Sequence, residues 1–391
     1  MMDGWQECAL GDAISLIIDH RGKTPKKLGL DWSLSGYRAL SARNIKTGKI
    51  VQPENVYYAS EELYRKWMKE EIIRGDILIT SEAPFGETYY WNSDEKIILS
   101  QRLYALKCKN TFSSKFLYYF MNTGRFQGEM RGRATGTTVI GLRQPELLKC
   151  KIVYPSLCEQ HAIAATLSCL DEKIELNNKI NANLEAQAQV IFKSWFVDFE
   201  PFQDGEFVES ELGMIPKGWR VGVLSELINV KYGKDHKKLG DGTIPVYGSG
   251  GIMRYAEKAL YERESVLIPR KGTLNNVIYI NEPFWTVDTM FYSEMRHPHI
   301  AKFIYFLVSG KNLASMNSGS AVPSMTTDIL NNLLTPIAPD SIFYEYDRLV
   351  SPLFNAIHKN TKQSNTLAAL RGTLLPKLMS GEIEVPMEES M

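Results

Sequence analysis

Residues 163–195 read IAATLSCLDEKIELNNKINANLEAQAQVIFKSW, and this stretch decides the architecture. Ile163, Leu167, Leu170, Ile174, Asn177, Asn181, Leu184, Ala188, Ile191 and Trp195 step by four and three without a break. Such spacing is a heptad seam, narrower than the stripe of an ordinary surface helix. Neither glycine nor proline interrupts it, so the spacing predicts a single helix of 33 residues, about 50 Å at 1.5 Å per residue. A polar pair at mid-seam costs stability but sets register and partner choice.

A second seam closes the chain: Tyr346, Val350, Leu353, Ile357, Asn360, Ser364, Leu367, Arg371, Leu374 and Leu378, again polar at its middle. A helix packing only on its own domain accounts for one such seam. The matched polar centres favour pairing of the two, and an antiparallel pair places Asn177 and Asn181 near Asn360 and Ser364. Pro352 sits near the start of the second seam. Proline is tolerated in a first turn and disruptive later, so this helix is expected to begin near Ser351.

The two halves of the chain match with a drifting offset. Gly4-Trp5, Leu10 and Gly22-Lys23 correspond to Gly218-Trp219, Leu224 and Gly233-Lys234, with the tryptophans 214 apart. The apolar runs through Leu78 and Leu267 lie 189 apart, and the aromatic helix starts at Phe116 and Phe303 lie 187 apart. The seams themselves are offset by 183. The first half therefore carries about thirty extra residues, roughly eighteen of them between Ile45 and Leu78, as expected of variable readers on a fixed frame. Tyr118, Tyr119 and Phe120 sit in an apolar helix start and belong to a core.

A chain of 391 residues with 44% hydrophobic content is long enough for two domains. Its 45 basic and 45 acidic residues cancel, so any nucleic-acid face must be local. Cys8, Cys108, Cys150, Cys158 and Cys169 form an odd set without a CxxC pair, which speaks against a disulfide framework or zinc and for a reducing cytosol. No basic leader precedes an apolar stretch and no run approaches a membrane span.

Several stretches resemble the specificity subunits of type I restriction-modification systems. They are Pro155-Ser156-Leu157-Cys158-Glu159-Gln160 before the first seam, Trp195-Phe196-Val197-Asp198-Phe199-Glu200-Pro201-Phe202 after it, Gly213-Met214-Ile215-Pro216-Lys217-Gly218-Trp219, and the terminal Leu374-Leu375-Pro376-Lys377-Leu378-Met379-Ser380-Gly381. The resemblance covers essentially the whole chain. It implies two α/β (α+β) target recognition domains in a pseudo-twofold repeat, separated by an antiparallel two-helix coiled coil, each domain reading one half of a bipartite asymmetric site in double-stranded DNA. It implies two methyltransferase subunits docked on the helices, with restriction subunits in the full complex. S-adenosylmethionine, ATP and magnesium are then expected on those partners and no cofactor on this chain, which is expected in the cytoplasm, away from membranes.

The corresponding division is residues 1–155 for the first recognition domain, 156–198 for the first helix, 199–216 for a Pro/Gly-punctuated acidic linker, 217–340 for the second domain, 341–380 for the second helix and 381–391 for a tail. Leu170, Ile174, Asn177, Asn181, Leu184, Ile191, Leu353, Ile357, Asn360, Leu367 and Leu374 are the expected seam and docking positions.

Reading DNA requires donors at base edges and cations at phosphates. In the first half the candidates are Arg21, Lys23, Lys26 and Lys27, then Arg131, Arg133, Thr135, Thr137 and Thr138 in a glycine-rich stretch. In the second half they are Lys234, Lys237 and Lys238, Arg270 and Lys271 with Asn275 and Asn276, and Ser318 and Ser320. A short Lys/Arg cluster is more often plain solvated surface, but recurrence of Gly-Lys at equivalent repeat positions favours a binding role.

No methylation motif, P-loop or HExxH spacing occurs. Asp94-Glu95-Lys96 and Asp171-Glu172-Lys173 each set carboxylates beside a lysine, the second inside the seam helix where charge is the ordinary solvated face. Chemistry is expected to lie elsewhere. A protein-binding scaffold and a specificity chain for a fused restriction-methylation enzyme remain the other classes.

Overall fold

A computed structural model describes residues 4–316 and 324–386. The chain forms two units, Met1–Leu176 with Gln363–Met391 and Asn177–Lys362. In the first, an antiparallel sheet has strand order Ile14–Asp19, Leu103–Cys108, Ile77–Thr80, Thr88–Tyr90. Strand Ile77–Thr80 is buried on both faces, which explains its unbroken apolar run. Ile77 and Ile79 join Phe116, Phe120 and Ile163 in one core, and Leu78 joins Trp67 and Trp91 in another. Alternation of side chains across the pleat thus serves two cores from one strand.

The second unit repeats this sheet with Ile228–Tyr232, Met290–Met295, Ser265–Pro269 and Ile278–Ile280 in the same order. Register repeats too: Tyr90 stands opposite Ile77, and Tyr279 opposite Val266. Each unit also holds a three-stranded sheet with one antiparallel and one parallel pair. These are Tyr57–Ala59, Tyr37–Leu40 and Ile98–Leu99 in the first unit, and Gly251–Ala256, Asp241–Gly248 and Trp285–Thr286 in the second.

The units differ in what intervenes. The first adds a ribbon, Ile45–Lys46 with Lys49–Ile50, and a helix, Glu61–Trp67. The Ser60 side chain caps that helix by accepting from the Leu63 amide, with Glu61 and Glu62 in its first turn and Arg65 and Lys66 in its last, an arrangement that suits the helix dipole. It is anchored by burying Leu63, Tyr64 and Trp67.

The long helices are Leu157–Phe196 and Asp340–Ser380. Between residues 171 and 190 every position is exposed except Asp171, Ile174, Asn177, Asn181, Leu184 and Ala188. On the second helix Leu353, Ile357, Asn360, Leu367 and Leu374 are likewise turned from solvent, as are Leu170 and Ile191 on the first. Within the second unit the two run antiparallel, with Phe196 stacked on Phe343 and Asn177 donating to the Asn360 carbonyl at 3.4 Å. At the polar centre Asn360 Nδ2 donates to Asn181 Oδ1 at 2.9 Å, and Asn181 Nδ2 donates to Thr361 Oγ1 at 3.2 Å. In the first unit Arg371 and the Tyr119 hydroxyl both donate to Asp171.

The expected start near Ser351 is corrected: the second helix begins at Asp340 and passes through Pro352. Pro352 and Arg348 are exposed, so the carbonyl that loses its helical donor faces water, which lowers the cost of the interruption. The 199–216 stretch contains a 3-10 turn, Glu200–Phe202, and an antiparallel hairpin, Phe207–Ser210 with Gly213–Pro216. Phe202 lies against Trp219 at 5.2 Å, an aromatic contact that ties the turn to the second unit.

Candidate nucleic-acid interface

In the first unit the loop after strand Ile14–Asp19 presents Arg21, Lys23, Lys26 and Lys27 in different ways. Arg21 pairs with Asp19 at 2.7 Å and lies over the Tyr104 ring at 4.5 Å, and its hydrogen bonds to Asp19 hold the guanidinium pKa up. Lys23 Nζ donates to the Trp67 carbonyl at 2.6 Å. Burial, then the nearby Lys69, lowers its pKa. Lys27 Nζ turns back to the Gly22 carbonyl at 2.6 Å, leaving Lys26 exposed.

Lys23 and Lys26 line a cleft of roughly 560 Å³ whose other residues include Trp32, Arg43, Asn55, Tyr57, Gln101 and Arg102. A smaller cleft of about 230 Å³ brings Arg21 beside Thr135, Glu82 and Arg143. Arg102 of the larger cleft pairs with Glu82 of the smaller at 2.9 Å. The fold thereby brings loops more than a hundred residues apart in sequence into two adjoining, cation-bearing clefts. Arg43 and Arg102 carry no signal in the sequence, since each stands alone between uncharged neighbours.

Arg131 is exposed at the end of helix Gly124–Arg133, but Arg133 lies between Glu129 at 3.4 Å and Glu146 at 3.8 Å. Thr137 and Thr138 are exposed in a loop closed by reciprocal 2.9 Å backbone bonds between Thr135 and Gly141.

In the second unit Gly233-Lys234 leaves the equivalent strand. A Cβ on Gly233 would lie 2.0 Å from the Val287 carbonyl oxygen, so only glycine fits there. The Lys234 amide donates to Thr286 at 2.8 Å, and its carbonyl accepts from Trp285 Nε1 at 2.9 Å, which leaves the Lys234 side chain exposed. Lys237 and Lys238 are exposed in the turn that follows, and the Lys237 backbone N–H bonded to Asp235 lowers that carboxyl's pKa. Arg270 lies over Tyr232 at 5.2 Å and donates to the Asp288 carbonyl at 3.1 Å, beside an exposed Lys271.

The two asparagines are partly spent on the fold. Asn276 Nδ2 donates to the Ser249 carbonyl at 2.9 Å, and Asn275 Oδ1 accepts from the Ala314 amide at 3.0 Å. Neither retains the full amide that bidentate recognition of adenine uses. Ser318 and Ser320 lie outside the described residues.

The acidic stretches weighed for chemistry are ion-paired: Asp94 with Arg74, Glu95 with Arg38, and Glu172 with Lys115. Among the described residues no group of three His, Cys, Asp or Glu could hold a metal ion, and no helix is long and apolar enough to cross a membrane.

The family model described as "Type I restriction modification DNA specificity domain" matches residues 2–186 and 216–365. The chain is 31% identical over 343 residues to the type I restriction enzyme MjaIX specificity subunit of Methanocaldococcus jannaschii, covering 80% of this chain and 78% of that one. It is 24% identical over 418 residues to the MjaVIII specificity subunit of the same organism, covering 98% and 94%. Its fold is similar to the crystal structure of a type I restriction-modification S subunit from M. genitalium, with a TM-score of 0.59, 19% identity and 96% of each chain covered. On a family match that takes in both halves of the repeat, the chain belongs to the type I restriction-modification DNA specificity family.

Proposed function

We propose that this chain is the DNA-reading subunit of a type I restriction-modification complex, with each repeat reading one half of a bipartite asymmetric site. The observation that carries this reading is the duplicated scaffold. One strand order and register occurs twice, each time sending a Gly-Lys loop from the same strand end, while the segments between strands differ. A fixed frame with different loops is how two different sequences can be read by one design.

In this reading the paired helices set the spacing of the half-sites and dock two methyltransferase subunits, with restriction subunits added in the full complex. The chain itself is non-catalytic and works in the cytoplasm; S-adenosylmethionine, ATP and magnesium are held by its partners. Half-site centres then lie about one duplex turn apart, roughly 34 to 36 Å.

The test is methylome sequencing of cells in which one heptad is removed between Leu170 and Leu184, together with the matching heptad of the second helix. The spacer should shorten while both half-site sequences stay the same. An unchanged spacer defeats the assignment of spacing to the helices. Co-purification with the methyltransferase subunit tests the docking.

A further inference from the structure

We propose that the cleft of the first unit takes a single nucleotide, its base laid against Tyr57 and its phosphate held by Lys26 and Arg43. This rests on the reading of the first unit as a DNA reader and names what that cleft binds.

Its lining is unlike that of an edge-reading surface. Tyr57 is 56% exposed and lies parallel to Trp32, with ring centroids 5.2 Å apart and planes at 10°. Trp32 in turn contacts Trp67 at 5.6 Å, so the stack is rooted in the core beneath it. Bases within a duplex show only their edges in the grooves. A flat aromatic platform matches the face of a base, and that face is available only once the base has left its stack.

Polar groups suited to the rest of a nucleotide surround the platform. Among the described residues no carboxylate pairs with Lys26 or Arg43, and both line the cleft. Asn55, Gln101 and Asp31 line it as well; Asn55 Nδ2 donates to Glu54 at 3.3 Å and Gln101 Nε2 to the Lys23 carbonyl at 3.2 Å, which leaves their amide oxygens, one further N–H on each and the Asp31 carboxylate for a base's pairing edge. A volume of roughly 560 Å³ falls within the range of small-ligand pockets, about 300–1,000 Å³. Ala83 and Arg102, also in the lining, hold φ of 41° and 62°, a left-handed conformation that non-glycine residues adopt at a cost and that clusters at binding sites.

Among its described residues the second unit has no such platform. The strand pairing sets Tyr57 opposite Ala39 and Arg254 opposite Val246, where Ala39 and Val246 begin the parallel pair of their units. Arg254 therefore stands where Tyr57 stands, and it is folded onto Asp241 at 3.0 Å and the Leu239 carbonyl at 2.9 Å. Helix Glu61–Trp67, which brings Trp67, has no counterpart among the described residues there. The proposal is thus confined to the first half-site.

Two sources could supply the nucleotide, the bound duplex or the free pool, and mismatched duplexes separate them. The chain in complex with its methyltransferase partner is titrated with its cognate duplex and with duplexes in which one base opposite each first-half-site position is changed to a mismatch. Edge reading makes every mismatch costly, roughly five- to 150-fold in affinity. Extrusion makes one mismatch favourable, because the unpairing has already been done. Apart from the methylation target in each half, which the methyltransferase itself extrudes, the expected result is a gain in affinity at one first-half-site position and at none in the second. Tyr57→Ala should abolish that gain and weaken cognate binding about five- to hundredfold, and Tyr57→Phe should restore both.

In a parallel titration the four deoxynucleoside monophosphates are added to the chain and tryptophan fluorescence is followed. Quenching lost in Tyr57→Ala, without any mismatch gain, assigns the cleft to a free nucleotide. Absence of both signals overturns the proposal, while tight cognate binding in that case leaves the DNA-reading function standing. Failure of the wild-type complex to bind its cognate duplex overturns both.

Discussion

Lys115 and Lys302 occupy matching places in the two units, each on the helix that follows the central sheet, and they live in different physics. Lys115 lies 5.8 Å from the Tyr90 ring and pairs with Glu172, whose side chain is 67% exposed. Lys302, with a side chain 8% exposed, lies 5.4 Å from the ring of Tyr279, which matches Tyr90 in register, and is held by Glu264 at 2.9 Å and Asp347 at 2.8 Å. His299 adds a bond to Asp347 at 2.9 Å, and the Tyr279 hydroxyl donates to Glu264. The repeat keeps the cation over the tyrosine and changes the solvent around it. One copy is a surface pair worth little, and the other is a desolvated network whose members depend on one another.

The largest expected effect is that of Lys302→Met, which removes the buried cation shared by Glu264 and Asp347 and should cost about 3–5 kcal/mol in chemical denaturation. Lys115→Met should cost less than about 1 kcal/mol. Equal losses would show that the two lysines do the same job.

Gly233 and Gly22 hold equivalent places in the repeat and differ in what surrounds them. Alanine at Gly233 forces the Cβ into the Val287 backbone and should cost about 1–3 kcal/mol, with loss of the Lys234 loop geometry. Alanine at Gly22 meets open space and pays only for a φ of +77°, about 1 kcal/mol. Hydrogen exchange at the amide of the lysine that follows each glycine distinguishes local loosening from global unfolding.

Acidification has the smallest expected effect, and it acts on the two units at different pH. Burial lowers the His20 pKa beneath its ordinary 6.5, with Lys23 adding to the shift. Protonation then favours the unfolded chain, and the first unit loses stability as pH falls below about 6.5. For Asp347 burial acts upward, but Lys302 and His299 outweigh it and leave the carboxyl below its ordinary 3.8. Its contribution is present above 3.8 and is lost only as pH falls through the lower folded value. Segment-resolved hydrogen exchange should show the first unit weakening at the higher pH, and His20→Gln should remove that early step.

Much of the frame is legible in the residues alone. Heptad spacing marks the faces of both long helices because a face turned from water must repeat with the helix. The drifting offset locates the first unit's insertion, since strand order tolerates additions only between strands. Pro352 misleads because its cost depends on whether the freed carbonyl meets water, which spacing does not encode. The cleft is illegible for another reason. Lys26, Arg43, Tyr57 and Arg102 come from four separate segments, and only the pairing of the Tyr37–Leu40 strand with both its neighbours brings them together. Asn275 and Asn276 show the converse, good base-reading residue types partly consumed by neighbouring backbone.

The polar middle of the seam also bears on how the chain is made. The helix Leu157–Phe196 leaves the ribosome roughly 140 residues before its partner begins at Asp340, a wait of about 7–30 s at about 5–20 residues per second. Its first turns pack on the core of the first unit through Ile163 and Leu167, but during that interval the middle of its inward face waits for a partner. A seam of unbroken leucine would invite premature self-association between nascent chains, whereas Asn177 and Asn181 interrupt it with groups that water satisfies. Once the second helix arrives, Asn181 exchanges those waters for Asn360 and Thr361, so the residues that delay pairing also select the correct partner.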